Sequence, residues 1–469
     1  MSPALQTIAG LSRLLREGEL SPLELVEETL ARIERLNPKL NAYITVTGDA
    51  AREQARQAEK EIRDGLWRGP LHGVPYAAKD LFHTRGVRTT MGSKIHTDFV
   101  PEADAAVVEK LHAAGAILIG KTGLHENAYG ITSNNPHFGA VRNPWDPERI
   151  PGGSSGGSTS ALAAGLCSFS LGTDTGGSIR IPASFCGLSG LKATFGRVSR
   201  RGCHPLGHTL DHVGPFAWTV EETGWIYEAI AGPDPADDSS IDDPLTMPEA
   251  IPERLDGRKI GVPRDFYFEG LDGEVDQAVR RALETLQALG AELVEVRLPD
   301  IEEMNAIGRL ILLAEATSVH HRNLDERPED FGLDQIALFD QGRFVTAVDY
   351  LDAQRRRRQL SHGFYTALEG VDVIATPTIP ILPAKIGQTT TKVNGVTLDV
   401  RLATTRNVRA LNLTGLPLLS VPCGLSEGGL PIGMQLIGAL LDEKSLLEIG
   451  GSYQRATDWH TKRPPIAGE

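Results

Sequence analysis

In the first 65 residues, apolar positions recur with helical spacing. Residues 21–24 read SPLE, a capping box with proline at the first helical position, and apolar residues follow near every third or fourth position over 25–36. Pro38 predicts the end of this helix. The polar stretch 49–64, rich in Ala, Glu, Gln and Arg, predicts a second helix on the outside of the molecule.

After Gly69-Pro70 the pattern changes, and short apolar segments alternate with helical ones. Strands are predicted at 71–78 (strand or loop), 116–120, 167–172, 259–262, 291–296, 371–375, 417–422 and 432–437. Helices are predicted at 104–114, 158–165, 274–289, 301–369 and 443–455. Alternating strands and helices predict an α/β fold, with a twisted mixed sheet covered by helices on both faces.

The composition is typical of a globular protein and gives no indication of a membrane protein or of one that binds nucleic acid through its bulk charge. Of 469 residues, 41% are apolar and 23% charged, an ordinary globular balance, and the net charge of −14 gives no bulk attraction to nucleic acid. No apolar run is long enough for a membrane span, and the N-terminus does not resemble a signal peptide. The cysteines form no CxxC pair, which favours reduced thiols in a cytoplasmic protein and no zinc site: Cys167, Cys186, Cys203 and Cys423.

Two segments rich in Gly and Ser carry the candidate chemistry. Residues 152–158 read GGSSGGS, and residues 172–180 read GTDTGGSIR. The first is no simple linker, because an apolar helix and a buried strand follow it, and neither segment completes a phosphate loop or a GxSxG elbow. Glycines beside Ser178 permit a tight turn whose N–H groups could point to one spot and bind an oxyanion. In such a turn Ser178 could supply the nucleophile.

A serine nucleophile needs a base, and none of the 13 histidines lies in a recognisable triad. Lys79 is the better candidate, because it follows the mostly apolar segment GVPYAA at 73–78. Burial disfavours the charged ammonium, lowers the pKa of a lysine and makes a neutral base available.

These segments together resemble the amidase signature family of Ser-cisSer-Lys hydrolases. The match is dense over about 70–215 and returns near the C-terminus, and its two serines are 24 residues apart, from 154 to 178. The matching segments are GVP and KD at 73–80, PGGSSGGS at 151–158, GTDTGGSIRIPA at 172–183, GLSGLK at 187–192, DHVGP at 211–215, GLP at 415–417 and PIGMQ at 431–435.

The resemblance implies a role for each matching residue. Lys79 is the base, Ser154 relays protons after a cis peptide bond to Gly153, and Ser178 is the nucleophile that forms an acyl-enzyme. The oxyanion hole is implied at Thr175, Gly176, Gly177 and Ser178. Supporting polar contacts are implied at Ser155, Asp174 and Arg180, and the acyl pocket at Ala128 and Tyr129. The family needs no metal and no organic cofactor.

The expected organisation is a single amidase domain over 1–469. It comprises an N-terminal helical wrap at 1–65 that could support a homodimer, the signature core at 66–230, a variable substrate-entrance region at 231–390 and the C-terminal part of the core at 391–469.

We expect a free-standing amidase that cleaves a small amide, anilide or carbamate, with aryl acylamidase or urethanase activity and without nucleic-acid or membrane partners. One alternative is the glutaminase (A) subunit of a tRNA-dependent amidotransferase. Against it, Tyr129 is bulkier than the methionine associated with that subunit, and residues 401–416 contain no acid for the α-amine of glutamine, although Asp399 lies just before them. The other alternative is a catalytically inactive binding module.

Overall fold

The computed structural model describes residues 3–469 and contains one dominant sheet. The strands are β1 (Tyr43–Val46), β2 (Pro75–Lys79), β3 (Ile117–Thr122), β4 (Asn134–Asn135), β5 (Gly139–Ala140), β6 (Phe169–Asp174), β7 (Ser189–Lys192), β8 (His212–Ala217), β9 (Lys259–Pro263), β10 (Glu292–Val296), β11 (Val373–Pro377), β12 (Thr390–Val393), β13 (Val396–Asp399), β14 (Leu418–Leu425) and β15 (Pro431–Gly438).

The α-helices surround this sheet. They are α1 (Ile8–Glu17), α2 (Pro22–Leu40), α3 (Gly48–Arg63), α4 (Ala106–Ala113), α5 (Gly156–Ala163), α6 (Arg180–Cys186), α7 (Val220–Ile230), α8 (Gly273–Ala288), α9 (Ile301–Glu326), α10 (Leu333–Arg343), α11 (Ala347–Leu368), α12 (Val400–Thr405), α13 (Arg409–Asn412) and α14 (Glu443–Arg455).

The sheet has eleven strands in the order β1-β3-β2-β6-β8-β7-β14-β15-β11-β9-β10. It is mixed: β2 runs parallel to both β3 and β6, and β9 runs parallel to both β10 and β11, whereas the strands between these two groups pair antiparallel. The hairpins β4–β5 and β12–β13 lie outside the sheet.

Helices cover both faces of the sheet, as alternation along β3 shows. Leu118 belongs to the core that contains residues of α4, α7, α8 and α14, whereas Ile117 and Ile119 belong to the core that contains residues of α2, α3 and α5. Successive side chains of a strand point to opposite faces, so a buried strand needs apolar residues at every position. The predicted α/β class and mixed sheet are confirmed.

Several boundaries predicted from the sequence are wrong. The helix α2 does not end at Pro38 but continues to Leu40, because proline sits in its last turn and left-handed Asn41 closes it, donating its N–H to the Asn37 carbonyl. The region 301–369 is three helices, broken after Glu326 and after Arg343.

The N-terminal segment is more than a helical wrap. Ile33 and Leu36 of α2 share a buried cluster with Ala161 and Leu162 of α5, and β1 pairs antiparallel with β3 as the outermost strand at one edge of the sheet. The four-part division of the chain and the homodimer stay predictions.

Within residues 3–469, no helix combines the length and the apolar character that crossing a bilayer requires.

Candidate active site

Two neighbouring strand ends bring the candidate base and its partners together. Lys79 is the last residue of β2, and Thr173 and Asp174 are the last residues of β6, which runs parallel to β2. Parallel neighbours present their carboxyl ends at the same edge of the sheet. Residues 94 positions apart in the sequence therefore become neighbours at this edge.

Lys79 is fully buried and has two hydroxyl partners. Its Nζ lies 2.8 Å from Ser154 Oγ and 2.8 Å from Thr173 Oγ1. Burial lowers the pKa of Lys79 to about 7, and the nearest acidic groups only partly oppose this. A substantial fraction of the amine is therefore neutral near pH 7 and able to accept a proton from Ser154.

Ser154 sits in a tight turn at the N-terminal end of α5. The Gly153–Ser154 peptide bond is cis, as the resemblance implies. A side chain at Gly153 would stand 2.9 Å from the carbonyl carbon of Ile131, so only glycine fits at this position. Ser155 also contributes, because its Oγ donates to the Thr173 carbonyl (3.2 Å) and accepts from the Thr173 N–H (3.3 Å). The turn is thereby tied to the strand that precedes the nucleophile.

A buried ion pair shapes the turn that carries Ser178. Arg180 donates to both carboxylate oxygens of Asp174, at 3.0 Å each, and both side chains are completely buried. Asp174 also accepts N–H groups from Gly177 (2.8 Å) and Ile179 (3.1 Å). Burial alone would raise the pKa of Asp174, but the Arg180 guanidinium holds it well below its usual value. The carboxylate therefore stays ionised and fixes residues 174–180.

The side chain of Ser178, the predicted nucleophile, is left without a partner in the described part of the chain. Ser178 is 7% exposed, and its hydroxyl has no hydrogen-bond partner among residues 3–469. The amides of Gly176 and Ser178 likewise have no acceptor among these residues, whereas the Gly177 N–H is held by Asp174. Thr175 is anchored through its hydroxyl, which donates to Asp211 at 2.5 Å. Gly176 and Ser178 are thus the amides free to bind an oxyanion.

A chamber of about 40 Å³ opens beside Ser178. Ala128 and Tyr129, the expected acyl-pocket residues, line it together with Arg401 and Arg409. The Tyr129 backbone is fixed by Gln335, whose amide donates to its carbonyl at 2.9 Å. The substrate-binding role of Ala128 and Tyr129 stays a prediction.

Sequence reasoning missed several residues of this site. Thr173 holds Lys79, Asp211 anchors Thr175, and Asn412 donates to Asp174 at 2.8 Å and accepts from Arg180 at 2.6 Å. Thr173 and Asp211 both lie inside segments that match the family, GTDTGGSIRIPA at 172–183 and DHVGP at 211–215, so the resemblance could have found them.

This geometry suits the predicted roles: Lys79 with a lowered pKa contacts Ser154, and Ser178 lies beside two amides without acceptors among residues 3–469. The amidase family model matches residues 24–447. The chain belongs to the amidase signature family, and it is a hydrolase of carbon–nitrogen bonds. The predicted catalytic residues Lys79, Ser154 and Ser178 are all present, which disfavours the inactive binding module.

Three similar proteins match this chain over nearly its whole length. The A subunit of the glutamyl-tRNA(Gln) amidotransferase of Chloroflexus aggregans is 41% identical, over 98% of each chain. A solved structure of the corresponding A subunit from Thermotoga maritima is 32% identical, with a TM-score of 0.83 over 97% of this chain and 95% of that one. A structure from a vestigial protein complex, described as revealing the evolutionary origins of an s-triazine catabolic enzyme, is 37% identical, with a TM-score of 0.92 over 96% of this chain and 98% of that one.

These relatives correct two expectations. The main expectation, a free-standing amidase for a small amide, anilide or carbamate, is wrong, because curated relatives that are about 41% identical over the full chain are amidotransferase A subunits. The expectation of a small-molecule enzyme without partner subunits or any link to nucleic acid is wrong for the same reason. The first expectation relied on two local departures, at Tyr129 and at 401–416, whereas the similarity to these subunits runs along almost the whole chain. The second relied on net charge, which indicates only bulk attraction to nucleic acid.

We expect the rate to depend on the protonation of Lys79. Below its pKa of about 7 the amine is charged and cannot accept the proton, so kcat/KM should fall about tenfold for each pH unit below 7 and level off above 8. The measurement is kcat/KM for amide hydrolysis from pH 5 to 9, with far-UV circular dichroism at each pH to show that the fold persists. A flat profile between pH 5 and 8 would contradict the assignment of Lys79 as the base.

Proposed function

We propose that this chain hydrolyses the side-chain carboxamide of glutamine and releases ammonia, acting as the A subunit of an amidotransferase that works on glutamyl-tRNA(Gln). The observation that carries the proposal is the 41% identity to such subunits over 98% of both chains. The catalytic apparatus supports it, because Lys79, Ser154 and Ser178 are all present and Lys79 already contacts Ser154.

The proposed reaction proceeds through an acyl-enzyme. Neutral Lys79 accepts the Ser154 proton while Ser154 accepts the Ser178 proton, and Ser178 Oγ attacks the carboxamide carbon. The amides of Gly176 and Ser178 hold the oxyanion, a contribution of about 3 kcal/mol per donor on the usual scale. The C–N bond then breaks, the proton returns through Ser154 to the leaving nitrogen, and ammonia departs. Water hydrolyses the acyl-enzyme by the reverse proton path.

The Ser154–Ser178 link is absent from the free protein, since no residue among 3–469 accepts from or donates to the Ser178 hydroxyl. Catalytic hydrogen bonds often tighten only when substrate is bound. The proposal therefore places the formation of this link in the substrate complex.

The test is ammonia release from glutamine by the purified chain, alone and with the other subunits of the Chloroflexus aggregans amidotransferase added. We expect glutamine hydrolysis that rises with the added subunits and glutamine-dependent conversion of glutamyl-tRNA(Gln). An anilide and a carbamate serve as comparison substrates, because membership of the family does not distinguish aryl acylamidase or urethanase activity from glutamine hydrolysis. Labelling of Ser178 by a fluorophosphonate without any use of glutamine would overturn the glutaminase role and leave the hydrolase.

A cytoplasmic location forms part of the proposal. The four cysteines are unpaired, and three of them are buried, which suits a reducing compartment.

A further inference from the structure

The cleft beside Ser178 has a cationic wall. Its inner chamber is lined by Ser178, Arg401 and Arg409, and no carboxylate belongs to that lining. An outer chamber of about 210 Å³ shares both arginines and adds Arg309 and Asp399. The two charged side chains that line the inner chamber with Ser178 are therefore both positive.

Both inner guanidiniums lack an ordinary partner. Neither Arg401 nor Arg409 makes an ion pair or a side-chain hydrogen bond with any of residues 3–469. Arg401 lies over the Tyr129 ring at 5.4 Å, and Arg409 Cγ is 3.9 Å from where a Cβ on Gly176 would stand. The second contact places the stem of Arg409 against the turn that carries the free amides.

The two cations also oppose each other. Burial, and then the charge of Arg401, lowers the pKa of Arg409 to about 10. Both desolvation and the repulsion between the two guanidiniums therefore disfavour the charged form of Arg409. Guanidiniums withdrawn from water normally have a carboxylate partner. The two guanidiniums have no such partner among the described residues, and the anionic group of a ligand could serve as one.

Two acids, Asp334 and Asp399, act on Arg401 through their charge but make their hydrogen bonds to other groups. Asp334 is bonded to His125 at 2.8 Å, and Asp399 caps α12 by accepting the Leu402 N–H at 2.8 Å. Asp399 is exposed and lies in the outer chamber. The inner chamber thus has donors for a carboxylate and no acid to hold an ammonium.

We propose that Arg401 and Arg409 bind a carboxylate on the acyl side of the scissile amide, so that the preferred substrates are monoamides of short dicarboxylic acids. An α-ammonium group is dispensable for recognition. The small inner chamber favours a short, slim acyl chain over an aryl one. This inference rests on the proposed amide hydrolysis at Ser178 and specifies its substrate class.

The test compares three amides by ammonia release: glutaramate, which carries the carboxylate alone; glutamine, which adds the α-ammonium; and butanamide, which has neither. We expect kcat/KM for glutaramate to exceed that for butanamide by about 100-fold or more and to equal or exceed that for glutamine. One charge-assisted contact contributes roughly 10- to 100-fold in affinity. Arg409→Gln and Arg401→Gln should each lower the ratio of kcat/KM for glutaramate to kcat/KM for butanamide about 10- to 100-fold.

The matched control is Arg355→Gln, which removes an exposed arginine on α11 that pairs with Asp352. It should leave all three substrates unchanged. A binding measurement keeps the inference testable if turnover is slow: calorimetry of glutaramate on the Ser178→Ala variant, with and without Arg409→Gln, should show the same loss of affinity.

Several results would overturn the inference. They are equal use of butanamide and glutaramate, a preference for glutamine over glutaramate above about tenfold, or binding of glutaramate that Arg409→Gln leaves unchanged. Hydrolysis of glutaramate without hydrolysis of glutamine would support the inference and refute the glutaminase role, so the two proposals fail separately.

Discussion

Replacement of Ser178 by alanine is expected to lower kcat for ammonia release, from glutamine or glutaramate, by about 10⁴-fold or more. Covalent catalysis requires the Ser178 Oγ, and members of a nucleophile–base unit are each indispensable. Folding should be unaffected, because this hydroxyl has no hydrogen-bond partner among residues 3–469. Steady-state kinetics, with fluorophosphonate labelling of both proteins, provides the measurement.

Ser168→Ala is the matched control for this experiment. The Ser168 hydroxyl is also buried and without a partner among the described residues, but it lies just before β6, away from the chamber. We expect this variant to retain wild-type kcat and labelling. Turnover above about one tenth of wild type in Ser178→Ala would place the nucleophile elsewhere.

The sequence predicts the sheet best where apolar residues run without interruption. The segment 116–120 predicts β3 to within two residues, because Ile117, Leu118 and Ile119 are all buried. The pattern does not predict β8, since Gly214 and Pro215 interrupt it, and proline is uncommon in an inner strand. Its position between β6 and β7 depends on pairing with residues 26 or more positions away (216 − 190 for Gly190–Phe216, and 212 − 174 = 38 for Asp174–His212), which a local pattern does not record.

The same limit applies to the site. Lys79, Ser154 and Ser178 could be named because each lies in a segment that resembles the family. The guanidinium wall could not be predicted, because Arg401 reaches Tyr129 across 272 positions of sequence (401 − 129), and only the fold brings them to 5.4 Å. In the sequence, the segment 401–416 is notable because it contains no acid. In the structure, the same segment supplies Arg401 and Arg409, which line one chamber with Ser178.

Asp174→Asn is expected to destabilise the protein by about 3–5 kcal/mol, because it leaves the Arg180 guanidinium buried without its counter-charge. The change also weakens the acceptors for the Gly177 and Ile179 N–H groups, so the turn that carries Ser178 should loosen. Chemical denaturation at pH 7 measures the loss. The exposed variant Asp352→Asn, which breaks a surface pair with Arg355, should change the free energy of unfolding by about 0.5 kcal/mol or less.

The pH dependence of unfolding separates the ion pair from simple loss of packing. The pKa of Asp174 is held well below its unfolded value of about 4, so its contribution is complete above pH 4 and is lost only as the pH falls toward the depressed folded pKa. Between pH 7 and pH 4 the difference in stability between wild type and Asp174→Asn should therefore stay constant, and below pH 4 it should shrink. A loss under about 1 kcal/mol at pH 7, or a difference that grows on acidification, would contradict the role of this ion pair in holding the turn of Ser178.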